Sequence, residues 1–232
     1  MKTFALLFSL LLVGSGLFAQ TKDPLPFTTA AEVNLLELLP PPPSGDSAVT
    51  KAELDALVAL QATRTPAQSE RAVADDEESV WRFADAVGNP NFTKEKLPLF
   101  SAFFDRIVAT EPAVVDPAKD SWKRPRPYLA DSRVNPLLKK KTSGAYPSGH
   151  STIGTLMGIV LSNMLPELRA PLMDRAAEFA ANRLVAGMHY ASDIDAGKRS
   201  ATAIAAVIRT KPEYADQFAA AKAELRSVLG YK

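Results

Sequence analysis

Between Ile153 and Leu165 the chain is almost unbroken hydrocarbon, interrupted only by small or neutral polar residues and stopped by Pro166. It is shorter than the ~20 apolar residues that cross a bilayer. With the Ser-Thr pair before it, the run over 151–165 therefore reads as a helix at the centre of a soluble core. A second, shorter apolar run at 201–208 reads the same way.

The rest of the chain follows a helical period. Leu54, Leu57, Val58 and Leu60 fit one amphipathic segment, and Val73, Val80, Trp81, Ala84 and Val87 fit another that ends at Gly88-Asn89-Pro90. Thr93 is placed to cap a helix whose buried face is Leu97, Phe100, Phe103, Phe104, Ile107 and Val108. Segments 171–186, 192–209 and 212–229 read as three more. Alternating β-branched runs with hairpin turns are not found. The expectation is an all-α fold, a compact single-domain bundle of roughly six to eight helices around a core of apolar helices. It occupies 51–232. Residues 20–50 are expected to be an irregular Pro-rich segment, because four prolines at 40–43 favour extended backbone, with the apolar lead-in 35–39 lying along the surface of the body.

The first residues carry the pattern of a secretory signal: Lys2, an apolar stretch over 4–12, Gly14-Ser15-Gly16, and Ala19 before a cut at Gln20. Residues 1–19 are expected to be removed and the protein to be periplasmic or secreted, without stable membrane insertion. Loss of Lys2 turns 27 basic against 26 acidic residues into 26 of each. A neutral protein has no overall electrostatic reason to seek nucleic acid, so anion binding has to come from local charge, which favours a small ligand. The absence of cysteine removes disulfides, thiolate nucleophiles and thiolate-bound metal. With two histidines, little remains from which to build a structural zinc site, and no cofactor is expected. Apolar Leu, Phe and Met side chains on helix faces leave a homo-oligomer open.

Both histidines sit in polar clusters. His150 closes Tyr146-Pro147-Ser148-Gly149-His150 just ahead of the apolar helix, so Ser148 and Gly149 fall at a helix N-terminus, where free amides and the helix dipole attract anions. His189 follows Arg183 and precedes Asp193 by four residues. Across a turn, Asp193 can reach one ring nitrogen of His189, which would fix the tautomer and leave the other nitrogen free to act as base or nucleophile. Lys119 and Arg126-Pro127 lie in a cation-rich stretch with Trp122 and Tyr128. Each cluster alone is also explained by ordinary caps and surface residues. Lys139-Lys140-Lys141 reads as a solvated loop that can steer anions.

Together the three clusters resemble the signature of the type-2 phosphatidic acid phosphatase superfamily. Lys119, Arg126 and Pro127 match its first part, Pro147 to His150 its second, and Arg183, His189 and Asp193 its third. Asn182 stands where the family usually has Ser. The Leu-Leu-Pro-Pro-Pro-Pro stretch and Ser192-Asp193-Ile194-Asp195-Ala196-Gly197 extend the likeness to bacterial class A non-specific acid phosphatases over most of 35–229.

The resemblance implies an exported phosphoric monoester hydrolase of broad substrate range, acting on small phosphomonoesters through a phosphohistidine, with phosphate transfer to alcohols left open. It implies His189 as nucleophile, Asp193 as its orienting group, and His150 as acid and then base. Lys119, Arg126, Ser148, Gly149 and Arg183 would bind phosphate, with no metal. His150 must begin protonated, and a free imidazole titrates near ~6.5, so an acidic working range is expected. A vanadium haloperoxidase-like enzyme and a non-catalytic phosphate-binding protein stay open as alternatives.

Overall fold

The computed structural model describes residues 23–232, and the expected signal segment with its cut at Gln20 lies outside the described residues. Every regular element among the described residues is helical. In chain order these are α1 (Leu35–Leu38), α2 (Ala48–Thr63), α3 (Pro66–Ala74), a 3-10 turn (Val80–Phe83) leading into α4 (Ala84–Val87), α5 (Pro98–Trp122), α6 (Pro127–Ala130), α7 (Gly149–Met164), a 3-10 turn (Pro166–Leu168), α8 (Arg169–Val185), α9 (Ala191–Ile208) and α10 (Pro212–Leu229). Among the described residues no helix is long and apolar enough to cross a membrane.

The apolar run forms α7, and only Ile159 and Asn163 of that helix escape full burial. Helices α8, α9 and α5 pack around it, and α10 closes the far side against α5. Two glycines let α8 come close. A β-carbon on Gly154 would stand 2.4 Å from the Phe179 ring, and one on Gly158 would stand 2.6 Å from the Ala176 methyl. Phe100, Phe103 and Phe104 of α5 meet Trp81, Phe92, Tyr214 and Phe218 in an aromatic layer of mostly tilted and edge-on pairs.

Several features depart from the expected boundaries. The turn α1 falls within 20–50, and α2 starts at Ala48 because the Ser47 hydroxyl accepts the Thr50 amide at 3.1 Å. Val33, Leu35 and Leu39 are buried in the main core instead of lying on its surface. Thr93 caps nothing there: α5 begins at Pro98, and its open amides at Leu99 and Phe100 are taken by the Glu224 carboxylate of α10 at 3.2 and 2.8 Å.

Helix α5 also continues through Pro112 and Pro117 to Trp122, which carries Lys119 on its last turn. A proline strips a hydrogen bond from the carbonyl four residues back. For Pro117 that carbonyl is Ala113, and the Ala30 amide of the N-terminal segment takes it at 3.0 Å. The Phe27 amide is likewise held by the Thr110 hydroxyl at 2.9 Å. The segment before α1 thus completes α5.

The close approach of α7 and α8 generates a prediction. Gly154→Ala should overpack the Phe179 ring and lower stability by about 1–3 kcal/mol, read from urea unfolding midpoints. Gly45→Ala, which meets nothing within 4 Å, serves as control. Equal midpoints for the two variants would contradict the packing described.

Candidate active site

Arg183 lies on the last turn of α8, and the chain turns at Gly187, whose φ of 70° is left-handed and open to glycine at little cost. His189 and Tyr190 then lead into α9. The His189 ring is buried between two partners. Its Nε2 lies 2.6 Å from Arg126 Nη1, and its Nδ1 lies 3.3 Å from Asp193 Oδ2. A guanidinium only donates, so Nε2 must present its lone pair and Nδ1 must hold the proton. Burial first, then the charges of Arg126, Arg183, Lys119 and His150, hold His189 well below the usual imidazole range. The ring is therefore neutral, with its basic nitrogen turned to the cations.

Asp193 is fully buried. Its Oδ2 also accepts the Tyr190 amide at 2.9 Å, which caps α9, and its Oδ1 pairs with Arg124 at 2.6 Å. Arg124 in turn contacts Glu53 at 3.0 Å and the Ser192 hydroxyl at 2.7 Å, with its guanidinium 3.9 Å over the Tyr190 ring. Glu53 of α2 also accepts the Ser192 amide at 2.6 Å. Burial pushes the Asp193 carboxyl up to about 7, against the pull of Arg124 and the Tyr190 amide.

His189, Arg183, Arg126, Lys119, Gly149 and His150 line one cavity of about 210 Å³, together with Glu78, Glu111, Asp116, Lys141 and Ser143. Arg126 is fixed by Ser143 and by the Met188 carbonyl. Arg183 is almost wholly buried, yet its Nε and Nη1 have no protein partner among the described residues. Buried donors of this kind are costly unless something accepts from them, and an anion in the cavity fits that need. Gly149 leaves room for two charged side-chain ends: a β-carbon there would stand 2.5 Å from Glu111 Oε1 and 2.9 Å from Lys119 Nζ and would push them aside.

Ser148 is brought beside this set but does not line the cavity. Its hydroxyl accepts the Ser151 amide at 3.2 Å as the N-cap of α7, and its amide donates to the Asp193 carbonyl at 3.1 Å. A roomier cavity, about 850 Å³, opens beyond Glu78 along α5, but neither histidine lines it.

His150 lies at the other side of the cavity. Glu78 Oε1 is 2.8 Å from its Nδ1, and Asp76 meets its Nε2 through the carbonyl at 3.1 Å and through Oδ1 at 3.3 Å. The Asp76 carboxylate also pairs with Arg183 at 3.1 Å, and the hydrogen bond to His150 is the main cause that holds it well below the usual carboxylate range.

Four carboxylates here were not singled out from the sequence: Glu53, Asp76, Glu78 and Glu111. Arg124 passed as one cation among several. Glu111 did leave a signal, as the lone acid four residues after Ile107 on a buried face. Its Oε1 has no hydrogen-bond partner, and burial raises its carboxyl to about 7. The acidic run over 75–78 was a second signal. Asn182, the departure from the family pattern, donates to the buried Asp75 at 2.7 Å and so faces away from the cavity, behind Arg183.

The PAP2 superfamily profile matches residues 103–216, which hold every residue of the three motifs. A non-specific acid phosphatase of Salmonella typhi is 30% identical, over 97% of this chain and 93% of its own. Another from Providencia stuartii is 28% identical over 83% and 81% respectively. Among solved structures, a bacterial vanadium-dependent iodoperoxidase superposes with a TM-score of 0.57 at 19% identity, over 73% of this chain. This chain spans only about half of it (52%). A transmembrane PAP2-type phosphatidylglycerolphosphate phosphatase from Bacillus subtilis superposes with a TM-score of 0.53 at 14% identity, over 78% of this chain and 96% of its own. At these identities the structural likeness speaks to the fold alone.

The Arg124–Asp193 pair carries a pH prediction. Removing Arg124 takes away the main cation opposing the rise of the Asp193 carboxyl, so the group stays protonated to higher pH. A protonated Asp193 has lost the charge that supports His189. Arg124→Gln should therefore lose more activity near pH 5 than near pH 8, the gap widening up to about tenfold for each unit the carboxyl rises. Breaking a buried pair should also cost about 3–5 kcal/mol of stability. A loss that does not change with pH would mean that Arg124 only packs.

Proposed function

The chain belongs to the class A non-specific acid phosphatases of the PAP2 superfamily and is a phosphoric monoester hydrolase; from that premise we propose that it works through a phosphohistidine on His189. The observation that carries this reading is the pair of contacts of His189, a guanidinium donor at Nε2 and the Asp193 carboxyl at Nδ1, which together require a lone pair on Nε2 and the proton on Nδ1. A neutral imidazole with its proton directed to a carboxylate has the form a nucleophile needs.

Lys119, Arg126 and Arg183 surround the phosphoryl oxygens. As substrate enters, the Arg126 guanidinium moves its donated hydrogen bond from His189 Nε2 to a phosphoryl oxygen and leaves the lone pair facing phosphorus. The two Arg183 donors without protein partners take further oxygens, and the opening amides of α7 around Gly149 add their dipoles. Fixed cations in a confined site stabilise charge as the bond breaks, commonly the largest catalytic contribution. They supply the positive charge for which other phosphatases use metal ions. Attack by Nε2 forms the N–P bond and breaks the O–P bond. His150 gives the departing oxygen a proton through its Nε2, then accepts one from the water that cleaves the N–P bond. An alcohol in place of that water gives phosphate transfer by the same route.

In the resting site the Asp76 carboxylate occupies Arg183 Nη2, leaving the other two Arg183 donors for phosphate, and lies 3.3 Å from His150 Nε2, the nitrogen that meets the departing oxygen in this scheme. Broad substrate range fits a cavity that grips phosphate while leaving its mouth to the rest of the ester. Export to the periplasm or medium belongs to the same proposal and rests on the leader pattern of residues 1–19.

Leaving-group dependence tests the assignment. A general acid matters most when the departing oxygen is poor at leaving unprotonated. His150→Ala should cripple hydrolysis of glycerol phosphate. With p-nitrophenyl phosphate it should give a burst of nitrophenol followed by slow turnover. His189→Ala should remove both activities. A His150→Ala enzyme that loses both first steps equally and shows no burst would contradict these roles.

Activity should also survive exhaustive EDTA treatment and fall with vanadate. Recovery that depends on added zinc or magnesium would overturn metal independence. Iodide or bromide oxidation after vanadate loading would instead favour the haloperoxidase alternative.

A further inference from the structure

Between α3 and the 3-10 turn the chain carries four acids in a row, Asp75-Asp76-Glu77-Glu78, beside a site that has to hold an anion. Asp75 explains why the loop stays there. It is fully buried and accepts from Arg175 at 2.5 Å, Asn182 at 2.7 Å and Arg82 at 3.1 Å. Those partners come from α8 and the 3-10 turn, so the loop is pinned to the helix that carries Arg183. Pinned in this way, it lays Asp76 and Glu78 against both edges of the His150 ring, while Phe179 stacks on one face at 6.3 Å.

The partners of His150 determine how many protons the ring and its neighbour hold. The Asp76 carbonyl at Nε2 can only accept, so Nε2 bears hydrogen. Glu78 lies at Nδ1, where one more proton must sit between carboxylate and nitrogen. The pair therefore holds one proton more than a neutral imidazole beside a carboxylate. Burial raises the Glu78 carboxyl, yet the hydrogen bond and charge of His150, with Lys119 and Lys141, outweigh it and leave Glu78 below its usual range. With hydrogen on Nε2 and a proton between Nδ1 and Glu78, the ring is arranged as a proton donor must be.

We propose that Glu78 is the positioning residue of the proton donor, holding the His150 ring by Nδ1 so that its protonated Nε2 points at the leaving oxygen. The inference rests on the reading of His150 as general acid. When the O–P bond breaks, the Nε2 proton passes to the departing alkoxide and the ring becomes neutral with Nδ1–H still on Glu78. Its Nε2 lone pair then takes a proton from the attacking water, and the imidazolium is restored as phosphate leaves. Without a carboxylate at Nδ1, the ring keeps only Asp76 at its Nε2 edge, and nothing fixes its orientation once the substrate meets that nitrogen.

The test compares Glu78→Gln and Glu78→Ala with His150→Ala, using glycerol phosphate in the steady state and p-nitrophenyl phosphate by rapid mixing. Both Glu78 variants keep Asp75 and hence the loop anchor, and stabilisation by inorganic phosphate in thermal unfolding checks that the site is assembled. The expected result is a kcat on glycerol phosphate lower by about 10- to 100-fold, with KM and the p-nitrophenyl burst rate each within about threefold of wild type. Equal losses on both substrates, while His150→Ala keeps its leaving-group dependence, would remove Glu78 from the role and leave His150 in it. Loss of phosphate binding in both variants would also overturn it, because Glu78 would then be supporting the phosphate site. No leaving-group dependence in His150→Ala would sink the reading of His150, and the Glu78 proposal with it.

Discussion

A carboxylate removed from water persists as an anion only where charges and hydrogen bonds offset its lost hydration. Asp193 has three partners that work against that loss, from three places in the chain: Arg124 after α5, the Tyr190 amide at the start of α9, and the His189 ring. Its own carbonyl accepts the Ser148 amide, which ties the start of α9 to the start of α7. Both histidines therefore hang on one buried residue, His189 through the Asp193 side chain and His150 through the α7 terminus. Glu53 extends the link to α2 by holding Arg124 and Ser192 together.

The bundle makes this convergence affordable in space. Helix α7 runs through the core, so its N-terminus is a fixed point to which α5, α8 and α9 each bring one end. Lys119 stands on the last turn of α5, Arg183 on the last turn of α8, and Asp193 in the first turn of α9. Small residues set the distances. Gly154 and Gly158 let α8 close on α7, and Gly149 leaves room for the Lys119 and Glu111 side chains. Cations that would repel one another in isolation are held apart by these helix ends and by the carboxylates Glu78, Asp76, Glu111 and Asp116 between them.

Much of this was legible in the sequence because it is local. The burial of 151–165 follows from composition alone, and the distances from Arg183 to His189 to Asp193 follow from a helix, a turn and a helix. The continuation of α5 through Pro112 and Pro117 was not legible. At Pro117 it depends on the Ala30 amide, more than eighty residues away in sequence, which donates to the Ala113 carbonyl in place of the missing proline donor. The start of α5 was misplaced toward Thr93 for the same reason, since Glu224 supplies its cap from the other end of the chain. Arg124 and Glu78 act through residues distant in sequence, Asp193 and His150, so neither spacing nor periodicity marks them. Asn182 is intermediate. Its place in the motif was visible, but its partner Asp75 lies on a different element.

In the proposed mechanism His189 becomes covalently phosphorylated. The direct measurement is rapid quenching of the wild type and of His150→Ala with ³²P-labelled p-nitrophenyl phosphate into alkali, in which phosphohistidine survives, followed by peptide mapping. Label is expected on Nε2 of His189, transient in the wild type and accumulating in His150→Ala because hydrolysis of the N–P bond has lost its base. Label on a serine or on a carboxylate, or a burst of product with no label on His189, would contradict it.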